Sequence, residues 1–203
     1  MSIVSNISPL APKNFPIMHS ISGVRFATAN AGIKSGNSED ATLILLEPET
    51  VIAGLFTSSM TRSAPVIDCQ NKIGINVEKT GAAIIVNSGN ANAFTGRHGE
   101  LAVREIIAEL STRVQIPVER IFSSSTGVIG ELLEYQKIIN VFDYLVDSLH
   151  VSKIENAARA IMTTDTFPKG SSVKVSSSGG KITISGIAKG SGMIAPNMGT
   201  MLV

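Results

Sequence analysis

The run Lys189-Gly-Ser-Gly-Met-Ile-Ala-Pro-Asn-Met-Gly-Thr200 sets a lysine and a threonine among three glycines and a proline. Residues that bend the backbone this densely mark a tightly shaped turn that approaches something closely. A threonine hydroxyl is a poor nucleophile unless a base sits beside it. One chemical solution is to make the threonine an N-terminus, so that its own α-amine takes the proton. Such an amine titrates near pH ~8, well below a lysine, and is a usable base near neutrality. Thr200 would gain that amine only if the Gly199-Thr200 bond were cut. Gly199 has no side chain, which lets Oγ of Thr200 reach the preceding carbonyl. Taken alone, the same residues also make an ordinary surface turn, because glycine-rich loops are common.

Upstream of this run, Val173 to Val175 and Lys181 to Ile187 alternate as two strands across Ser176-Ser-Ser-Gly-Gly180. A helix is expected near Ser152 to Met162, burying Ile154, Ala157, Ala158 and Ile161, with Ser152 as N-cap. A longer helix is expected from Glu131 to Leu149, with Tyr135, Ile138, Ile139, Phe142, Leu145, Val146 and Leu149 as its apolar stripe. Pro117 to Phe122 reads as a strand. Val103, Ile106, Ile107 and Leu110 keep a helical period from Gly99 to Leu110. Ala82 to Val86 is a short apolar run of the kind covered on both faces.

Ala41 to Leu46 and Val51 to Phe56 flank Glu47-Pro-Glu-Thr50 and read as a hairpin. Val24 to Ala31 is a strand ended by the turn Gly32 to Ser38, and Ile3 to Met18, with three prolines, an arm along the surface. Strands interleaved with helices give an α/β or α+β class, with helix layers packed on sheet.

The composition narrows the function. The 203 residues carry a net charge of +1, 4% aromatics and no tryptophan. Neither nucleic acid nor an anionic membrane surface is expected as a partner. The apolar runs are too short to cross a bilayer. A single cysteine, Cys69, rules out an internal disulfide and suits a reducing compartment. No secretory signal is legible in Met1 to Lys13, and the protein is read as cytoplasmic. Cys69 beside Asp68 reads as a small apolar residue, with a nucleophile as the sharper alternative.

Three segments rich in hydroxyls, amides or glycine follow apolar stretches: Asn87 to Asn92, Ser123 to Gly127, and Thr163-Thr-Asp-Thr166. Each offers donors for a carbonyl oxygen or a small polar ligand. Thr126-Gly127 is the best shaped as an oxyanion hole, a hydroxyl beside an unhindered amide; the plainer reading is a cap and a turn. Asp165 reads as an acid/base group or as a capping aspartate. Gly180-Lys181 lacks the glycine spacing of a phosphate loop, and no G-x-G-x-x-G opens a helix. His19, His98 and His150 are far apart in the chain and no cluster has ligand spacing, so no metal site is expected. His98 is placed in an exposed loop, and no G-x-S-x-G elbow supports a serine triad.

Four motifs in order carry a wider resemblance: Val86-Asn-Ser-Gly-Asn-Ala-Asn-Ala93, Ser125-Thr-Gly-Val-Ile-Gly130, Met162-Thr-Thr-Asp-Thr166, and Lys189 through Thr200-Met-Leu202. Together they resemble the bifunctional ornithine acetyltransferase / N-acetylglutamate synthase family of arginine biosynthesis, from about Gly23 to Val203. The resemblance implies a helix–sheet–sheet–helix sandwich shared with certain self-processing aminopeptidases. It implies a precursor cut at Gly199-Thr200 into an α and a β chain, with Thr200 as the nucleophile. Acetyl would pass from N-acetylornithine, or from acetyl-CoA as co-substrate, to glutamate, without another cofactor. Thr126 and Gly127 fall on the family's oxyanion pair, and Thr163, Lys189 and Thr200 on its substrate-binding positions. Residues 1–22 would be an arm, 23–199 the α-chain domain and 200–203 the start of the β chain. The partner implied is the chain's own β segment, in a heterodimer that pairs into a heterotetramer.

Two departures stand out. Gly199 occupies a position where the family more often has alanine; glycine is sterically permissive, so cleavage is still expected. The chain also runs only to Val203, so the family's second half is missing and activity is expected only with it. The alternatives are a self-processing amidase or aminopeptidase of the same architecture, and an inactive α fragment that serves as an assembly partner.

Overall fold

The computed structural model describes residues 7–75, 77 and 79–203; residues 1–6 of the expected N-terminal arm lie outside them. The main sheet has the order β1-β2-β3-β4, formed by β1 (Val24–Ala29), β2 (Ala41–Leu46), β3 (Ala82–Asn90) and β4 (Ile121–Val128). β1, β2 and β3 pair antiparallel, while β3 and β4 pair parallel. A parallel pair needs a crossover, and α2 (Gly96–Val114) supplies it. The outer edge of β1 is capped by a two-bond bridge to His150, with N–H to O distances of 3.0 and 2.9 Å.

Side chains alternate across a strand, so the two sheet faces bury different sets. Ala27, Ala29, Ala41, Leu43, Ala83, Ile85 and Ile121 pack against Ala102, Val103, Ile106, Ile107 and Leu110 of α2. Phe142 and Leu145 of α4 (Phe142–Asp147) complete that core. Phe26, Thr28, Thr42 and Val86 are also buried and point the other way. On that side Ser88 Oγ donates to Ala160 O at the end of α5 (Ile154–Ala160). β5 (Lys169–Ser177) and β6 (Gly180–Ala188) form a separate two-stranded ribbon. The mixed α+β architecture, helices packed on sheet, agrees with the sequence reading.

Several local expectations are corrected. Val51 to Phe56 forms no strand, and Val51 and Leu55 are each 89% exposed. Both edges of β2 are already taken by β1 and β3, and Glu49 turns the chain away with φ 68°. Pro117 to Phe122 is a 3-10 turn over Val118–Arg120, and the strand begins only at Ile121. The helix expected over Glu131 to Leu149 splits into α3 (Tyr135–Ile139) and α4. The run Ile138-Ile-Asn-Val141 is rich in weak helix formers, yet Ile138, Phe142 and Leu145 still face one core. Ser152 does not cap α5: its hydroxyl pairs with His150 Nδ1 at 2.8 Å, and Lys153 precedes the helix.

A helix the sequence did not suggest, α1 (Ala64–Lys72), lies beside β4 with only Pro65 and Cys69 buried. Two buried residues make too thin a stripe to register as a period.

Candidate active site

The site forms where β3 and β4 end together. Ser88 is in register with Thr126, and Gly89 with Gly127, just before an irregularity at Asn90. Thr126 shares the sheet face of Ser88 and is 1% exposed. Gly127 has φ +136°, and a Cβ there would run into the Gly89 carbonyl carbon and sit 2.6 Å from Asn90 N. Two backbones approach so closely at this point that only glycine fits. The hydroxyl–glycine pair is thus a consequence of parallel pairing between two glycine-bearing strands.

Lys189 follows β6 and reaches into this corner, 4% exposed. Its ammonium donates to Thr163 Oγ1 at 2.7 Å and to Thr126 Oγ1 at 3.2 Å. A hydroxyl that accepts from an ammonium keeps its own O–H free, so Thr126 can donate to a ligand oxygen. Burial pushes the Lys189 amine below its ordinary value; Asp165 opposes that shift and Lys169 adds to it.

Asp165 anchors the other side. Its carboxylate is fully covered and accepts from Lys169 Nζ at 2.6 Å, Gly190 N–H at 2.8 Å and Thr163 N–H at 3.2 Å. Lys189 Nζ stands 3.9 Å from Asp165 Oδ2. Burial raises this carboxyl's proton affinity, but the Lys169 and backbone hydrogen bonds outweigh it and hold the group below the usual range. Asp165 therefore fixes both Thr163 and Gly190, the neighbours that aim Lys189, rather than capping a helix.

Lys34 forms an outer layer. Asp40, 1% exposed, accepts from the N–H groups of Ala31, Ile33 and Lys34 at 2.6 to 2.8 Å. That turn directs Lys34 Nζ to Ala160 O and Met162 O, both at 3.2 Å. The carbonyl ahead of Thr163 is thereby held in place. Neither Lys34 nor Lys169 stood out in the sequence, because the Gly32 to Ser38 turn and the Phe167-Pro168 step carry no period.

The sequence-picked residues do not all meet. Thr126, Gly127, Thr163 and Lys189 converge, and Asp165 joins them. Thr200 is half-buried, in a loop whose ends are drawn together by a two-bond bridge between Lys189 and Leu202, with N–H to O distances of 2.8 and 3.4 Å. Within that loop Ala195, Asn197 and Met198 have left-handed backbone, and Asn197 Nδ2 donates to Ser58 Oγ at 2.7 Å. The amides of Asn87 to Asn92 are not open to a ligand as expected. They turn inward: Asn87 to Asn90 O, Asn90 to Glu131 O, and Asn92 to Gly99 O. His98 lies on α2 with Nε2 facing Leu133 O at 3.4 Å, not in a loop. Cys69 is buried with its Sγ toward Ser123 O, and burial pushes the thiol up to about 11, against a nucleophilic role. A cavity of about 260 Å³ at the other end of β4, beside Lys72, Arg120 and Phe122, holds none of these groups. Among the described residues no group of three metal-ligating side chains is close enough to hold an ion.

The model of the ArgJ family matches residues 25–203. The chain belongs to the ArgJ family. It is 50% identical over 203 residues to the arginine biosynthesis bifunctional protein ArgJ of Ruegeria pomeroyi, covering all of this chain and 50% of that protein. The ArgJ protein of Bartonella quintana is 44% identical over 196 residues, 97% of this chain and 47% of that protein. The chain spans about half the length of the curated relatives it matches. The crystal structure of ArgJ from Bacillus halodurans superposes with a TM-score of 0.78 at 31% identity, covering 89% of this chain and 92% of that one. Ornithine acetyltransferase of Mycobacterium tuberculosis, solved in complex with ornithine, gives 0.77 at 31% identity, covering 89% and 93%. No helix among the described residues is long and apolar enough to cross a membrane.

Proposed function

We propose that this chain is the N-terminal part of a cytoplasmic acyltransferase of arginine biosynthesis, cut at Gly199-Thr200. The enzyme moves acetyl from N2-acetylornithine, or from acetyl-CoA, to glutamate. Residues 23–199 form the α chain and 200–203 begin the β chain, which stays bound as a heterodimer and pairs into a heterotetramer. The observation that carries the reading is Lys189 Nζ bridging Thr126 and Thr163, with the loop that bears Thr200 closed onto the same lysine. Relatives support the cut indirectly. The solved chain from Bacillus halodurans is nearly the length of this one, whereas curated relatives are about twice as long.

In the cut, Thr200 Oγ attacks the Gly199 carbonyl carbon and the C–N bond breaks, converting the amide to an ester and freeing the Thr200 amine. Water then hydrolyses the ester, leaving a Gly199 carboxylate and a Thr200 hydroxyl with its own base. In transfer, that amine takes the Oγ proton as Oγ attacks the acetyl carbon of the donor. The Thr126 O–H and Gly127 N–H stabilise the oxyanion. The C–N bond to ornithine breaks and its amine leaves with the proton. The amine of glutamate then attacks the acetyl-Thr200 ester, and Thr200 recovers its hydroxyl proton. Lys189 and Thr163 hold the substrate, the lysine as a compact positive charge for a carboxylate.

The test is ornithine release from N-acetylornithine by the full-length protein, with and without glutamate. Release that depends on glutamate, with N-acetylglutamate formed in equal amount, supports a transferase. Equal release without glutamate means an amidase that passes the acyl group to water.

A further inference from the structure

Among the described residues, no strand pairs with the outer edge of β6, and one face of the β5–β6 ribbon is open. β6 pairs with β5 in a register that places Val173 opposite Ile184 and Val175 opposite Ile182. These four side chains share one face and are 42 to 56% exposed. β-branched residues in cross-strand pairs are what a sheet presents to a covering layer. The opposite face is already occupied: Phe15 and Met18 lie over Gly170, and Ser185 Oγ donates to His19 O.

The other edge of β6 has a single partner among the described residues, and its geometry is specific. Lys189, the residue after β6, exchanges both backbone hydrogen bonds with Leu202, antiparallel. In an antiparallel ladder, pairs that exchange both bonds recur at every second residue. The outward-pointing amides of β6 are therefore those of Ile187, Ser185, Thr183 and Lys181. A chain that continues past Leu202 without turning meets each of them in sequence. The matched relatives are about twice this length, so a further segment follows Leu202 in the family.

We infer that the first segment of the C-terminal half adds as an antiparallel strand along β6, in the register begun by Lys189 and Leu202, and that the half it leads covers the Val173, Val175, Ile182 and Ile184 face. This deepens the proposed function. Once the bond before Thr200 opens, nothing covalent holds the new N-terminus in place. A ladder that starts two residues after Thr200 ties it to the lysine of the site, with backbone bonds that cleavage leaves intact.

The experiment is residue-resolved hydrogen exchange on the full-length protein. An edge strand exchanges its outward amides far faster than its inward ones. The inference expects Lys181, Thr183, Ser185 and Ile187 to be as protected as Ile182, Ile184 and Gly186, with matching protection at every second residue after Leu202. Fast exchange confined to the outward set overturns it. Protection on β6 with none in the segment after Leu202 also overturns it, because the edge would then be held by a second copy. Intact mass, measured on the same sample, tests the cut separately. A cut protein with an unprotected edge sinks only the strand, and an uncut protein with a protected edge sinks only the cleavage.

Discussion

The Lys189 ammonium donates to Thr163 Oγ1 at 2.7 Å, joining residues 26 positions apart. The same ammonium donates to Thr126 Oγ1 at 3.2 Å, so one buried cation touches both hydroxyls proposed for binding and catalysis. Replacing Lys189 by methionine removes the charge but keeps much of the volume. Loss of a charge-assisted contact of about 1.5–3 kcal/mol corresponds to roughly a 10- to 100-fold fall in kcat/KM. Steady-state kinetics of the Lys189→Met protein with N-acetylornithine checks it, and an unchanged kcat/KM removes Lys189 from substrate binding.

The same variant should change the alkaline limb of stability. Burial lowers the Lys189 amine below its ordinary 10.5. Between the lowered value and 10.5 the unfolded chain holds more protons than the folded one. Stability therefore gains with rising pH through that window. Urea midpoints measured across it should rise less steeply in Lys189→Met than in the parent, and identical slopes would contradict the shift.

Asp165 works at the acid end. Its carboxyl lies below the ordinary 3.8, so the stability it adds is present above that value and fades as pH falls through the lowered one. Asp165→Asn leaves Lys169 and Lys189 without their carboxylate. Breaking a buried pair on one side costs on the order of 3 kcal/mol. The variant should denature at lower urea near neutrality and show a flatter loss below about pH 4. A parent-like midpoint would mean the carboxylate is dispensable.

Thr126→Ala should lower turnover by about 10²–10³, the scale of one oxyanion donor, with the fold retained. Thr126→Ser keeps the hydroxyl and should recover most of the rate. Gly127→Ala is a different kind of change: its methyl would strike the backbone of Gly89 and Asn90, where no side chain can give way. Circular dichroism and soluble yield should separate the two, with Thr126→Ala folded and Gly127→Ala destabilised. A stable Gly127→Ala would show that β3 and β4 can part.

How much of this was legible beforehand varied with the physics. The helical period of Val103, Ile106, Ile107 and Leu110 located α2, because one full face of it is buried. The Val51 to Phe56 run misled, since apolarity says nothing about whether a strand edge is free to pair. Thr126, Gly127, Thr163 and Lys189 were found through motifs, and the structure brings them together. Of the groups that aim them, Asp165 was read only as an acid/base or capping group, and Lys34 and Lys169 were not found. Asp165 meets Lys169 and Gly190 only through tertiary folding, and Lys34 reaches Met162 O across 128 positions. Such contacts leave no period in sequence. The amides of Asn87 to Asn92 misled for a related reason: a polar loop and a polar strand end bonded to its own backbone have the same composition.

Intact-mass analysis of the full-length protein, alongside its Thr200→Ala variant, bears most directly on the account. The parent should resolve into one species ending at Gly199 and another beginning at Thr200, with the variant unbroken and inactive. An unbroken parent that still transfers acetyl to glutamate would contradict it.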